Sequence, residues 1–375
     1  MDSNQKRFST YVFLSAFARN LVELFIPIIL YKFGFSLKEV IFYYLYVNMF
    51  SLLMTYPCFY ISSKYSNRTL SIIGVIGFIL TQLLLNYIVH SVFYLMLIAF
   101  SYALYRRGYW IARRFYNLKV IKKDNISSTY SLISIISQSA IVVSSYIGAI
   151  FLDYYSIKLL TIIAMFLFFV SVIPLYLLKF EHKETSESLE FYKTVKSIPK
   201  RDLYLFGTYE LVAVLKFLFP LYLFIYVKDN YQTVGILSLL ANIATIVFAY
   251  FYGKKTNKDK NFLQLSIFLV VFVLFLKSQF TSSVLILISF LEGIVMKMQE
   301  ISIQKEFLSL SKKFNYQNYN LVYETTQNVF RTSTSLILFF FVKDLKIMIY
   351  IVLLLVLSGI FVKFKYIETK DYKAK

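Results

Sequence analysis

The sequence predicts an all-α polytopic membrane protein with twelve transmembrane helices arranged as two six-helix bundles. Three observations carry that prediction: a strongly apolar composition, apolar runs long enough to span a bilayer, and basic residues that alternate from loop to loop. Hydrophobic residues make up 58% of the 375 residues, charged residues only 16%, and the mean hydropathy is +0.64. A soluble domain carries about a quarter charged residues. Uncharged runs of about 20 residues recur from end to end, each sufficient to cross a membrane as a helix. In hydrocarbon only helices and closed barrels satisfy their backbone groups. The runs are continuous and do not alternate apolar with polar, so helices are predicted.

Taken in order, the first six spans are 9–33, 38–60, 69–90, 91–112, 129–152 and 157–179. The second six are 203–227, 231–252, 261–280, 282–304, 317–342 and 345–364. The first span is longer than the apolar region of a cleavable signal and carries Arg19 and Glu23, so it reads as a retained helix. One long polar stretch separates the sixth span from the seventh. It divides the chain into an N-terminal bundle (1–180), a cytoplasmic linker (181–202) and a C-terminal bundle (203–375).

Charge sets the topology. With the N-terminus inside, alternate loops and both tails hold twenty-seven of the 40 basic residues, and the opposite loops hold seven: Lys32, Lys38, Lys158, Lys228, Lys277, Lys343 and Lys346. That asymmetry is the positive-inside pattern of an even number of spans. It puts both termini in the cytoplasm, and the abundance of Lys, Ile, Asn, Tyr and Phe fits an AT-rich bacterial genome, so a bacterial cell membrane is expected.

The net charge of +20 does not read as a nucleic-acid footprint, because the basic residues sit in short loops rather than on one soluble face. The single Cys58 excludes an internal disulfide and a CxxC metal site, and the two histidines, His90 and His182, are far apart near predicted helix ends. No HExxH, GxSxG or Walker A motif is present. No enzyme activity, cofactor or metal is expected. The expected partners are a small-molecule substrate and the lipid bilayer, with the protein acting as a monomer.

The remaining basic residues, Arg19, Arg106, Arg107, Lys216, Lys297 and Arg331, lie inside spans with the acids Glu23, Glu210, Glu292, Glu300 and Glu324. A charge in a membrane helix is costly and usually faces a partner or a watery cavity. Arg19 and Glu23 are four apart and share a face. Glu324, Gln327, Asn328 and Arg331 fall on one helical stripe, whereas Glu210 and Lys216 are six apart and need partners elsewhere. Glu292, Gln299 and Glu300 share one broad face. Of the adjacent Arg106 and Arg107, one is expected to enter a cavity. Trp110, Arg113 and Arg114 read as marks of the cytoplasmic interface. The substrate or proton pathway is therefore expected among Arg19, Glu23, Arg106, Arg107, Glu210, Lys216, Glu292, Lys297, Glu324 and Arg331. The third, sixth, ninth and twelfth spans have uncharged interiors and are free to face lipid.

The halves also share a loop. Ser63-Lys64-Tyr65-Ser66-Asn67-Arg68 follows the second span, and Gly253-Lys254-Lys255-Thr256-Asn257-Lys258 follows the eighth. Glu23 precedes Pro27 in the first span, as Glu210 precedes Pro220 in the seventh. A same-orientation repeat of six helices is the signature of one transporter architecture. Here the chain resembles the major facilitator superfamily. Lys64, Asn67 and Arg68, with Lys254, Asn257 and Lys258, stand where that family carries its basic loop motif; Lys64 replaces the family's acid and Asn67 its second glycine. Ser131, Ala140, Ser144, Ser145, Gly148 and Ala149 fall on the small-residue positions of the family's antiporter motif, without its proline. The resemblance implies that helices one, four, seven and ten line a central cavity. It also implies alternating access, with a small organic or amphipathic solute exported in exchange for protons. A lipid flippase and a transporter-like membrane sensor are the alternative readings.

Overall fold

The structure is a computed structural model that describes residues 3–120, 126–178, 189–227, 230–253, 262–280, 284–311 and 315–371. Every regular element among them is a helix. The first half holds α1 (Ser3–Glu23), α2 (Ile26–Lys32), α3 (Leu37–Lys64), α4 (Asn67–Asn86), α5 (Val92–Val120), α6 (Ile126–Tyr154) and α7 (Ile157–Tyr176). Next come α8 (Phe191–Ser197), α9 (Lys200–Leu211), α10 (Ala213–Tyr226), α11 (Tyr231–Gly253) and α12 (Phe262–Gln279). Last are α13 (Val284–Ser311), α14 (Tyr316–Phe341) and α15 (Leu345–Asp371).

Local sequence explains many of the boundaries. Ser36 and Glu39 form a reciprocal capping box at the start of α3, with Glu39 N–H donating to Ser36 Oγ at 3.3 Å and Ser36 N–H to Glu39 Oε2 at 2.8 Å. Ser66 caps α4 through the N–H of Thr69, and Ser156 caps α7 through that of Leu159. Asn315 caps α14 by accepting from Gln317 and Asn318.

Two predicted spans are broken helices. α1 gives way to α2 after Glu23, where Pro27 sits in the first turn of the second piece. α9 gives way to α10 at Val212, just beyond Glu210. Counting each broken pair as one rod and α8 as a connector, the described residues form twelve rods. Seven of these are long and apolar enough to cross a membrane: Ser3–Lys32, α3, α4, Ser131–Tyr154, α7, Asp202–Tyr226 and Tyr231–Phe251. α5, α13 and α14 fall short because polar and charged side chains interrupt them, and the described apolar stretches of α12 and α15 are shorter, Leu265–Gln279 and Leu345–Ser358.

Small residues set the helix spacing. A Cβ on Gly108 of α5 would lie 2.7 Å from the Cα of Gly74 on α4, so the two backbones touch where both glycines sit. The small-residue face of α6 makes two contacts. Gly148 meets the Leu21 carbonyl of α1, while Ser145 and Ala149 receive Gly235 of α11. Helices of the first half pack mutually, as do those of the second, and the two sets meet through α6 against α11 and α3 against α14. The outer faces are apolar: Ile72, Ile76, Leu80 and Leu83 on α4 are exposed at helical spacing, as are Phe166, Phe169 and Ile173 on α7, Phe268, Phe272 and Phe275 on α12, and Ile347, Tyr350 and Leu354 on α15. These are the third, sixth, ninth and twelfth rods.

Candidate functional site: a charged cavity between the two helix sets

A cavity of about 440 Å³ lies between the two sets of helices, lined from α1, α5, α6, α9, α10, α13 and α14. It begins at the level of the two helix breaks, with Glu23 and Leu24 on one side and Glu210 and Ala213 on the other. From there it runs toward the end where α5 and α13 finish and α6 and α14 begin. The opposite end is closed. Tyr231 and Gln232, at the start of α11, donate their backbone N–H groups to the Asp153 carboxylate of α6 at 3.3 and 3.0 Å. Lys32 lies over the rings of Phe224 and Tyr231, and Phe42 of α3 packs on Phe339 of α14.

Seven cationic side chains and four carboxylates face the cavity. Two of the four carboxylates are paired across helices and two along their own. Glu324 of α14 is buried and holds two arginines of α5, Arg107 at 2.5 Å and Arg114 by a second, close ion pair. Glu210 accepts from Arg331 Nε at 2.6 Å. Glu300 accepts from the buried Lys297 at 2.9 Å, and Lys297 also donates to Ser134 of α6 at 2.6 Å. Glu23 is held more loosely, 3.6 Å from Arg19 one turn earlier on the same helix. The Arg19 guanidinium in turn lies over Trp110 and Tyr109, 4.9 and 5.5 Å from their ring centres.

The polar stripe on α14 is used along its whole length. Gln327 accepts from Arg114, and Asn328 donates to Thr55 of α3 at 3.0 Å. Two turns on, Ser335 accepts from Asn48 of α3 at 2.9 Å. Asn48 also accepts from Arg106 at 3.3 Å. Burying these groups is tolerable because each finds a partner that the lipid does not offer.

The residues predicted from the sequence divide into three groups. Arg19, Glu23, Arg106, Arg107, Glu210, Lys216, Glu324 and Arg331 all line this cavity, including both members of the adjacent arginine pair. Lys297 stands behind the wall and reaches it through Glu300. Glu292 does not line it. Its carboxylate pairs with Lys277, which lies over the Phe219 ring. Lys277, read from the sequence as a loop residue, is a buried side chain in the last turn of α12, because its Nζ turns back to meet Glu292. The ninth rod therefore carries one interior charge.

A second departure concerns Trp110, Arg113 and Arg114. They were expected at the interface, yet all three face the cavity. α5 extends past residue 112 to Val120, so Arg106, Trp110, Arg113 and Asn117 fall on one continuous stripe. Following the helical spacing beyond the apolar run would have found them. Glu300 belongs to the same wall, although the sequence places it on a face with Glu292.

The loop residues lie elsewhere. Asn67 is buried and accepts from Ser62 at 2.8 Å, and Lys64 lies over Tyr60 and Tyr65. Arg68 donates to the carbonyl of Leu178 at 3.0 Å, and Arg7 donates to that of Leu177. Two guanidiniums thus satisfy the carbonyls at the end of α7, where the helix dipole favours cations. Lys254, Asn257 and Lys258 lie outside the described residues.

Comparison with known proteins agrees with this geometry. The family model described as Major Facilitator Superfamily matches residues 8–311. No curated protein matches the chain by sequence. Among solved structures, a mutant of the nucleoside transporter NupG aligns with a TM-score of 0.69 at 13% identity, over 96% of this chain and 99% of that one. A bacterial homologue of the iron transporter ferroportin, in an outward-facing state, aligns with a TM-score of 0.68 at 15% identity, over 97% and 99%. At these identities the likeness is one of fold. The chain belongs to the Major Facilitator Superfamily and is a multi-pass membrane transporter, not an enzyme.

Proposed function

We propose that the chain is a secondary active transporter that moves a small organic solute out across the cytoplasmic membrane by alternating access, with proton coupling through Glu23. The observation that carries this reading is the cavity itself: enclosed by both helix sets, closed at one end, and placed at the breaks of α1/α2 and α9/α10. Broken helices at a site between two repeats are a recurring transporter device. Residues 1–180 and 203–375 act as the two rocking units, joined by 181–202. The positive-inside pattern makes the open end of the cavity cytoplasmic, the side from which an exporter loads.

Glu23 is the coupling group by geometry. Glu324 is clamped by two guanidiniums and Glu210 by one at 2.6 Å, whereas the Arg19–Glu23 separation is 3.6 Å and Arg19 is shared with two aromatic rings. A loosely compensated carboxyl in a low-dielectric cavity gains and loses its proton as the site changes exposure. Glu292, bound to Lys277 away from the cavity, is a matched control. The test is proton movement across proteoliposome membranes on addition of candidate solutes. Wild type and Glu292→Gln are expected to move protons with solute, and Glu23→Gln to move none. Solute flux that proceeds without protons in wild type would sink the coupling.

A further inference from the structure

We infer that the solute is an organic anion, held by Arg106, Arg113 and Lys216, an assignment that deepens the transporter reading and rests on it. Among the described residues these three cavity cations make no direct ion pair; Glu23 acts on Arg106, and Glu300 on Arg113 and Lys216, only at longer range. Arg106 is buried, donates one 3.3 Å hydrogen bond to Asn48, and lies 5.3 Å from the centre of the Phe217 ring. Arg113 is buried and bonds only the neutral hydroxyls of Tyr109 at 2.8 Å and Ser137 at 3.2 Å. Lys216 is exposed to the cavity with the Tyr209 ring 5.6 Å from its ammonium and no direct ion pair among the described residues.

A buried guanidinium without an anion is costly, and its usual resolution is an anionic partner. Among the described residues every carboxylate that lines the cavity stands in an ion pair with another cation, which leaves room beside these three for a negative charge brought by the solute. Arg106 and Arg113 are seven residues apart on one face of α5, about 10 Å along its axis. Lys216 and Phe217 face them from the other helix set. A carboxylate or phosphate with an apolar or aromatic body fits between these groups: guanidinium forks for the anion, Phe217 and Trp110 for the body. Asn117 and Gln138 add buried carboxamide oxygens without hydrogen-bond partners, which suits a ligand that also carries a hydroxyl or amide donor. An inside-negative membrane potential drives an anion outward, in keeping with export.

Trp110, the single tryptophan, lies between Arg19 and Arg113 at 4.9 and 5.0 Å and reports on this space directly. The experiment is quenching of its fluorescence in purified protein by iodide, caesium and neutral acrylamide. Iodide is expected to quench several-fold more effectively than caesium. Lys216→Gln and Arg106→Gln should each remove much of that preference and leave acrylamide quenching unchanged, which also shows that the variants are folded. Benzoate should protect Trp110 from iodide, about tenfold less effectively in Lys216→Gln, the loss expected of one charge-assisted contact; benzyl alcohol should not. Caesium quenching equal to iodide, or an iodide preference and benzoate protection untouched in both variants, would overturn the assignment. Counterflow in proteoliposomes separates the two layers. Anions that protect Trp110 while no solute crosses would leave the anion site and remove the transporter. A neutral solute that crosses without competition from benzoate would do the reverse.

Discussion

Arg107 of α5 and Glu324 of α14 form an ion pair at 2.5 Å with each side chain only 1% exposed, joining helices 217 residues apart in sequence. Removing one partner of such a pair leaves the other charge buried and uncompensated. Glu324→Gln is expected to cost about 3–5 kcal/mol, read as a lower melting temperature in detergent. The Arg107→Gln/Glu324→Gln double variant should recover a large part of that loss, because the orphaned charge is gone and Arg114 at the cavity mouth can reach water. A double variant no more stable than Glu324→Gln would contradict the pairing.

Closure of the end opposite the cavity mouth rests on Asp153, which caps α11 across the two helix sets. Asp153→Ala removes an N-terminal cap and its dipole partner, an effect of about 1 kcal/mol. That loss should shift the conformational balance toward opening at this end roughly fivefold. Modification of a cysteine introduced at Lys32, in a Cys58→Ser background, measures it. Equal labelling with and without Asp153 would refute the clamp.

The α6–α11 seam should tolerate no bulk. A Cβ at Gly235 would lie 2.7 Å from the Ala149 Cβ, so Gly235→Val forces the two helices apart. Overpacking of this kind costs about 1–3 kcal/mol. Gly108→Ala at the α4–α5 contact should behave similarly, whereas Gly34, in a turn with an open side, should show strain from its φ of 91° rather than from a clash.

A small pH effect is expected at Asp344, between α14 and α15. The Tyr226 hydroxyl and the Lys346 N–H donate to its carboxylate and hold its pKa below the ordinary value. A depressed carboxyl stabilises the fold above its unfolded pKa and loses that contribution as pH falls through the folded one. The stability gap between wild type and Asp344→Asn should therefore be constant above about pH 5 and narrow below about pH 4. A gap that widens on acidification would reverse the assignment.

Much of this was legible in the residues. Charges at positions 19, 23, 106, 107, 210, 216, 324 and 331 stand out because a lone charge in an apolar run is conspicuous in one dimension. The α14 stripe was equally plain from its spacing. Arg113 and Arg114 were not, because they sit at the end of the apolar run, where the same residues mark either an interface or a cavity mouth. Glu292 was misplaced for a related reason: its partner Lys277 lies on the preceding rod, and no local spacing connects them.

The sequence by itself determined the number of rods and which of them present apolar outer faces, since hydropathy and capping act over a few residues. The tertiary structure decided which charges meet. Pairing Arg107 with Glu324, Glu210 with Arg331 and Glu292 with Lys277, and leaving Arg106, Arg113 and Lys216 without a direct ion pair among the described residues, depends on helix rotation and on two helix breaks. Those are fixed by packing between distant segments, which no single span encodes.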